Sequence, residues 1–382
     1  MPFTFIHTAD WQLGKPFRSM PANIVGRLEA ARLDVIKTIG EVALSAGAGD
    51  VLVAGDVFDG ESVPDVLLRA ALSRMSVWNS ISWHLMPGNH DLARPGGIWE
   101  RIHRLGLPPN IMVLTRPEVH ELAENVFVLP APLTARQMHG DPTAWMNACP
   151  TPAGAIRIGL AHGSVQGFGS QADASVLIDP GRRKSAHLDY LALGDWHGAR
   201  EIAPAVWYSG TPEPDGFVDN QRGNILIVGI DGPGAPPTVE MKRTAAFLWR
   251  QQTLNMARVN DLSGLEDELV RLGPESARHL VRITLEGSIP LGEQAELEER
   301  LLQMNARLMS LDVDRHGLHT AFRTEDMEKL GQAGSALRRI ADRLGRAQDN
   351  GAAIPARVSG RALARLMGLA SEHVAHTEQE AK

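Results

Sequence analysis

Val51-Leu52-Val53-Ala54-Gly55-Asp56-Val57-Phe58-Asp59 is the stretch whose reading decides the fold. A short apolar run rich in Val reads as a strand buried on both faces, the kind found in parallel sheets. The run stops at Gly-Asp, and in open α/β sheets ligands gather beyond the carboxyl ends of the strands. Asp56 stands at such an end. Alone, it reads equally well as a helix N-cap, a turn aspartate or a single ligand. Repetition of the pattern along the chain is what gives it weight.

Towards the N-terminus, Thr4-Phe5-Ile6-His7-Thr8 reads as a strand ending in Ala9-Asp10-Trp11-Gln12-Leu13-Gly14. A helix with apolar spacing follows over residues 24–46 and closes at Gly47 and Gly49. Beyond Asp56 the spacing predicts a helix over 64–78, with Pro64 at the favoured first turn. A strand over 81–86 then ends in Pro87-Gly88-Asn89-His90-Asp91. This β-α-β-α-β order, with polar residues after every strand, predicts a layered α/β domain.

Three further strands are expected at 126–129, 156–161 and 190–193. The second ends at His162-Gly163 and the third at Gly194-Asp195-Trp196-His197-Gly198. Strands at 206–209 and 224–228 complete the sheet, and Gly232-Pro233-Gly234 marks a turn or linker. Residues 130–152 read as a Pro-rich, irregular connection and 164–187 as a long loop or short helices.

From Phe247 the texture changes. Strands at 247–254, 280–285 and 311–314 alternate with acidic helices at 262–272 and 292–309, and no metal-ligating residue stands at the strand ends. From Glu325 the pattern is helical, over 327–348 and 359–372. Residues 326–367 carry eight Lys/Arg against four Asp/Glu, a basic tail on an acidic protein. Three parts are expected: 1–240, 245–322 and 325–382.

The bulk properties narrow the class. A chain of 382 residues exceeds a single ordinary core. Its one cysteine, Cys149, excludes an internal disulfide and fits a reducing compartment. The N-terminal residues lack a basic region followed by a long apolar core, and no run of about eighteen apolar residues occurs. A cytoplasmic protein that does not enter membranes is expected. The formal net charge of -7 means that any grip on nucleic acid needs a local basic stripe, divalent cations or a partner.

Five strand ends present Asp10, Asp56, Asn89-His90-Asp91, His162 and Asp195-x-His197. Carboxylates, an amide and imidazoles together suit Mn²⁺, Fe²⁺ or Zn²⁺ better than Mg²⁺, which rarely recruits several histidines. An aspartate between two ligand sets can bridge two ions about 3.5–4 Å apart, the spacing used for in-line displacement at phosphorus.

These five blocks resemble the signature of the calcineurin-like metallophosphoesterases. More narrowly, His7-Thr8-Ala9-Asp10-Trp11 with Gly55-Asp56-Val57-Phe58-Asp59 is similar to the SbcD-type DNA double-strand-break repair nucleases. Tyr208-Ser209-Gly210-Thr211-Pro212 resembles the Tyr-x-Gly-Ser-Pro that follows the last block in those nucleases. The resemblance implies an αββα sandwich, a small α+β cap domain over 245–322 and a helical tail. It also implies two divalent ions, Mn²⁺ foremost. Asp10, Asp56, His197 and Gln12 would hold the first; Asp56, Asn89, His162 and Asp195 would hold the second. His90 would protonate the leaving oxygen, with Asp91 orienting its ring.

Two positions depart from the family pattern. Gln12 stands where a histidine is usual, and Asp195 stands where another is usual. A neutral amide binds transition metals less tightly than imidazole, so the first ion is expected to be weak or exchangeable. Asp195 remains a good hard ligand.

By the same resemblance the activity is metal-assisted hydrolysis of DNA. The tail would dock on an SbcC-like coiled-coil ATPase, and a homodimer would form through the helices at 64–78 and 97–105. Two other readings share the core: a phosphodiesterase for a small nucleotide ester, and a scaffolding subunit whose metal site Gln12 has weakened. His7 reads as a structural neighbour of the site. His84, His103, His120, His139 and His187 lack strand-end context. Trp11, Trp196 and Phe17 read as stacking or wall-packing residues, and Lys15, Arg18 and Arg94 as phosphate contacts or solvated charge.

Overall fold

Alternate residues of the Asp56 strand face different layers. Val51 and Val53 pack with helix residues such as Val35, Ile39 and Leu68, whereas Leu52 and Ala54 pack with Val128, Leu160 and Ala192 of a second sheet. That two-sided burial makes the strand central in a four-layer arrangement.

The computed structural model describes residues 2–138, 140–168, 176–218 and 221–321, with isolated positions at 339, 340, 342, 343 and 362. His139 lies outside the described residues, as do the helices expected at 327–348 and 359–372 apart from those isolated positions. The chain divides into two units, Met1–Leu248 and Trp249–Lys382.

In the first unit the order is β1 (Phe3–Thr8), α1 (Ala22–Ala46), β2 (Asp50–Val53), α2 (Asp65–Ser76), β3 (Ser82–Leu85), α3 (Ile98–Leu105) and β4 (Ile111–Val113). Then come β5 (His120–Ala123), β6 (Val126–Ala131), β7 (Ile156–His162), β8 (Ser164–Val165), β9 (Leu177–Ile178), α4 (Arg182–Ser185) and β10 (Tyr190–Gly194). β11 (Arg200–Ala203), β12 (Val206–Tyr208), β13 (Asn224–Ile230) and β14 (Thr238–Arg243) finish it.

One sheet runs β14-β13-β1-β2-β3-β4, the other β11-β12-β10-β7-β6-β5. β1 to β4 are mutually parallel, as are β6, β7, β10 and β12; β13 runs antiparallel between β1 and β14, and β5 and β11 are antiparallel edge strands. The expected αββα layering is therefore present. Apolar residues from both inner faces fill the space between the sheets, and α1 to α3 cover the outer face of the first.

α1 buries Ile24, Leu28, Arg32, Val35, Ile36 and Ile39, a stripe at helical spacing. It ends at Gly47, whose φ of 65° lets its N–H close on Ala43 and Leu44 carbonyls. β4, β5, β11 and β14 escaped the sequence reading. Edge strands such as β14, exposed over most of its length, carry no two-sided apolar run to read. Residues 164–187, expected to be loop or short helices, hold β8, β9 and α4 among the described positions.

The second unit contains β15 (Leu248–Met256), α5 (Ser263–Leu272), β16 (His279–Pro290), α6 (Gln294–Arg307) and β17 (Ser310–Ala321). The strands form one sheet in the order β15-β16-β17, with β16 and β17 parallel. Leu262, Leu265, Leu269, Ile283, Leu297 and Leu301 make its own core. β16 and β17 run on past the apolar segments that mark them in sequence, because paired backbone continues where polar side chains face solvent.

Candidate metal centre

The ligand-bearing loops are joined to each other through backbone. Ala54 N–H donates to Thr8 O, Asp10 N–H to Gly55 O, Gln12 N–H to Asp56 O and Leu13 N–H to Val57 O, at 2.8 to 3.1 Å. The segments after β1 and β2 thus continue the sheet as a two-stranded ladder while their side chains turn inward. Asp10 (φ 53°), Gln12 (φ 44°), Asp56 (φ 53°) and Asp195 (φ 102°) all take left-handed backbone. Such conformations cost about 1–3 kcal/mol each and persist where surrounding structure holds them, which here places the aspartates on the site. Gly88 brings the third loop close, since a Cβ there would overlap Asp56 Oδ1 and the Asp56 nitrogen.

Asp10, Asp56 and His162 offer ligand atoms within 4.8 Å of one another, and all three are buried. Among the described residues they form the group of His, Cys, Asp or Glu side chains able to hold a metal ion. His162 Nδ1–H donates to Ala54 O at 2.8 Å, which turns Nε2 into the cluster. Nε2 lies 3.6 Å from Asp56 Oδ1 and 3.9 Å from Asp195 Oδ1. Asp195 is anchored by its N–H on the Asp10 carboxylate, at 3.1 and 3.2 Å, and by the Ser164 hydroxyl at 2.8 Å.

Asn89 tests whether these residues fit a cation. Its amide oxygen faces His162 Nε2 at 3.0 Å. The same position lies 3.1 and 3.0 Å from the two Asp56 oxygens, where a turned amide could donate to all three acceptors. The donor set of carboxylates, amide and imidazole suits a divalent ion. The residues fit.

Charge crowding shows in the acidities. Burial pushes the Asp10 carboxyl up to about 6, opposed by His197 and His162. Burial alone would lower His162, but Asp56, Asp10 and Asp195 outweigh it and raise the ring to about 9. Without a cation, then, this cluster holds protons.

The remaining residues sort differently from expectation. His90 donates its N–H to Asp56 Oδ1 at 2.9 Å, and its ring Nδ1 lies 3.0 Å from Asp59 O. Nε2 is turned towards Asp56 Oδ2 at 3.9 Å, on a side chain 39% exposed. Asp91 was expected to orient this ring and does not. Its carboxylate accepts Gly88 N–H at 2.7 Å and Phe58 N–H at 3.0 Å, tying the third loop to the second. Asp59 takes the place beside His90, with Oδ1 3.7 Å from Nδ1. The neighbour in sequence points away because the tight loop needs an acceptor inside it.

His197 and Gln12 lie outside the group of three, although His197 is the foremost charge acting on Asp10. Gln12 Nε2 lies 3.2 Å from His197 Nε2, and His197 Nδ1 lies 3.3 Å from Asp215 Oδ2. The sequence reading missed Asp215. It is a buried carboxylate that also meets Lys15 and Arg222. Burial would raise its pKa, but the hydrogen bond and charge of His197, with Arg32 and Lys15, hold it far below the usual carboxylate range. Its position in Thr211-Pro212-Glu213-Pro214-Asp215-Gly216, shortly after the Tyr208 block, was the available signal.

Trp11 is fully buried, donates Nε1–H to Thr8 and packs edge-on to Trp83, so it is wall, not a stacking platform. Phe17 lies under the Arg32 guanidinium, and Arg94 pairs with Glu61. Trp196 is partly exposed and packs against Phe168.

His7 is structural. Its Nε2 lies 3.1 Å from Leu193 O and its Nδ1 3.0 Å from the Tyr190 hydroxyl, bridging the two sheets. Burial lowers the ring to about 3. The unfolded chain binds a proton at His7 below about 6.5 while the folded chain does not, so stability falls as pH drops from 6.5 towards 3. This group contributes a slope of up to about 1.4 kcal/mol per pH unit in that window. Urea titrations of wild type and His7→Gln between about pH 4 and 7 should show a shallower slope in the variant; equal slopes would refute the assignment.

No curated protein matches the chain. TT1561 of Thermus thermophilus, known from a crystal structure, is 12% identical, with 64% of this chain and 100% of that chain covered and a TM-score of 0.41. The pattern of the calcineurin-like phosphoesterases matches residues 3–199, just over half of the chain, and takes in all five ligand-bearing loops. The chain belongs to the calcineurin-like phosphoesterase family.

Proposed function

We propose that this phosphoesterase is a metal-dependent DNA nuclease of the SbcD type. The observation that carries the reading is the Gly88–Asp91 loop. It sets Asn89 on the metal cluster and leaves the His90 ring partly exposed beside Asp56. A phosphodiester needs both features, because its leaving sugar oxygen is a poor leaving group until protonated.

Asp10, Asp56, Asn89, His162 and Asp195 would hold a divalent ion, Mn²⁺ before Fe²⁺ or Zn²⁺. When bound, such an ion withdraws charge from a phosphoryl oxygen and makes water a nucleophile near neutral pH. His90 Nε2 donates the proton to the leaving oxygen. The Asp59 carbonyl fixes the ring through Nδ1, and the Asp59 carboxylate lies 3.7 Å from the same nitrogen.

The DNA substrate rests on the narrower motifs, His7–Trp11 and Tyr208–Pro212. The Tyr208 hydroxyl donates to Gly163 O at 2.7 Å and accepts Val165 N–H at 3.0 Å, bracing the loop after His162. Residues 245–322 serve as a DNA-facing cap and residues 325–382 as a docking tail for an SbcC-like coiled-coil ATPase in the cytoplasm. Val66 and Val77, 73% and 69% exposed on and beside α2, support a homodimer through that helix. Among the described residues no helix is long and apolar enough to cross a membrane.

Labelled duplex and single-stranded DNA incubated with Mn²⁺, with and without the ATPase, should be cleaved and should be protected by EDTA. Hydrolysis of a nucleotide ester with no cleavage of either DNA would move the reading to a small-substrate phosphodiesterase.

A further inference from the structure

Gln12 stands where the family pattern has a histidine, and the structure shows what surrounds it. Lys15 Nζ donates to Gln12 Oε1 at 2.8 Å and to Asp215 Oδ2 at 2.5 Å. An ammonium only donates, so the Gln12 oxygen must face Lys15 and its NH₂ must face His197. An amide NH₂ has no lone pair to offer a metal. Its N–H points instead at His197 Nε2, 3.2 Å away.

Asp215 completes the arrangement from the other side. Its carboxylate accepts the His197 Nδ1–H at 3.3 Å, which leaves Nε2 as the ring's acceptor. That acceptor is satisfied by Gln12. Two ligands that the family pattern would give to the first ion are therefore hydrogen-bonded to each other. Lys15 stems from the same turn as Gln12, whose carbonyl accepts the Lys15 N–H at 3.1 Å.

We propose that the Lys15–Gln12–His197–Asp215 network replaces the first metal ion, leaving a centre for a single divalent ion with the Lys15 ammonium as its fixed cationic neighbour. The residues at the first position do not fit a metal. Lys15 uses two of its three N–H groups within the network, and the third is available to a phosphate oxygen of the substrate. This rests on the phosphoesterase reading of the cluster, but not on DNA being the substrate.

The test is stoichiometry. Full-length protein loaded with Mn²⁺, desalted and measured by inductively coupled plasma mass spectrometry should carry one ion per chain. Its electron paramagnetic resonance spectrum should be the six-line pattern of isolated Mn²⁺. The Gln12→His/Lys15→Ala variant, which restores an imidazole and removes the ammonium, should carry two ions per chain and a spin-coupled spectrum. Lys15→Met, with circular dichroism to check folding, should lose the fixed orientation of Gln12 and admit a weak second ion. Two coupled ions in the wild type would overturn the proposal, as would a folded double variant that stays at one. Wild type with one ion and no DNA cleavage would sink the nuclease reading alone, whereas DNA cleavage with two ions would sink this one alone.

Discussion

Asp56→Asn should lower phosphodiesterase activity by about 10³-fold or more, several kcal/mol of lost charge stabilisation at phosphorus. The carboxylate lies 3.6 Å from His162 Nε2, accepts the His90 N–H at 2.9 Å and faces the Asn89 amide, so three loops converge on it. Replacing one oxygen by NH₂ removes the anionic centre while keeping shape. Bound Mn²⁺ should drop to background in the same preparation. Stability in EDTA should not fall, because the substitution relieves repulsion with the neighbouring carboxylates of Asp10 and Asp195. A variant keeping a tenth of wild-type activity would show that catalysis does not run through this cluster.

His90→Ala should behave differently, and the difference separates metal holding from proton transfer. General acid assistance contributes about 10²–10⁴-fold, so activity on a sugar-phosphate diester should fall by that range. Metal content should be unchanged, since the His90 ring reaches Asp59 O and faces Asp56 only at 3.9 Å. With a p-nitrophenyl diester, whose leaving group is stable as an anion, the loss should shrink towards about tenfold or less. An equal loss on both substrates would remove His90 from the acid role and leave it as a support for Asp56 through its backbone N–H.

These two substitutions also show how far each residue's part can be read from its neighbours in sequence. The ligand aspartates were legible because each ends an apolar strand and follows a short loop with a glycine nearby. Asp56 follows Gly55, and Asn89 follows Gly88, whose lack of a Cβ is what admits the Asp56 carboxylate. Both are local requirements, and local requirements leave local marks. Asp91 misled for the same reason. Adjacent to His90 in sequence, it read as the residue that orients the ring, yet its carboxylate is spent on Gly88 and Phe58 N–H groups. Asp59 serves the ring from 31 residues away.

Strand pattern was enough for a layered α/β domain with parallel central strands, and the resemblance of the motifs supplied the αββα core; of the candidate ligands, Asp10, Asp56 and His162 come together as a group. Burial on both faces requires continuous apolar runs, and metal ligation requires specific side chains at their ends. Edge strands with one wet face left no such trace. Only the tertiary structure decided what the stretch after the first strand does with Gln12. Lys15 sits three residues from it, but His197 and Asp215 are 185 and 200 residues from their partners Gln12 and Lys15. Which way an amide turns depends on the donor that reaches its oxygen, and that is settled only when the chain has folded and the two loops meet.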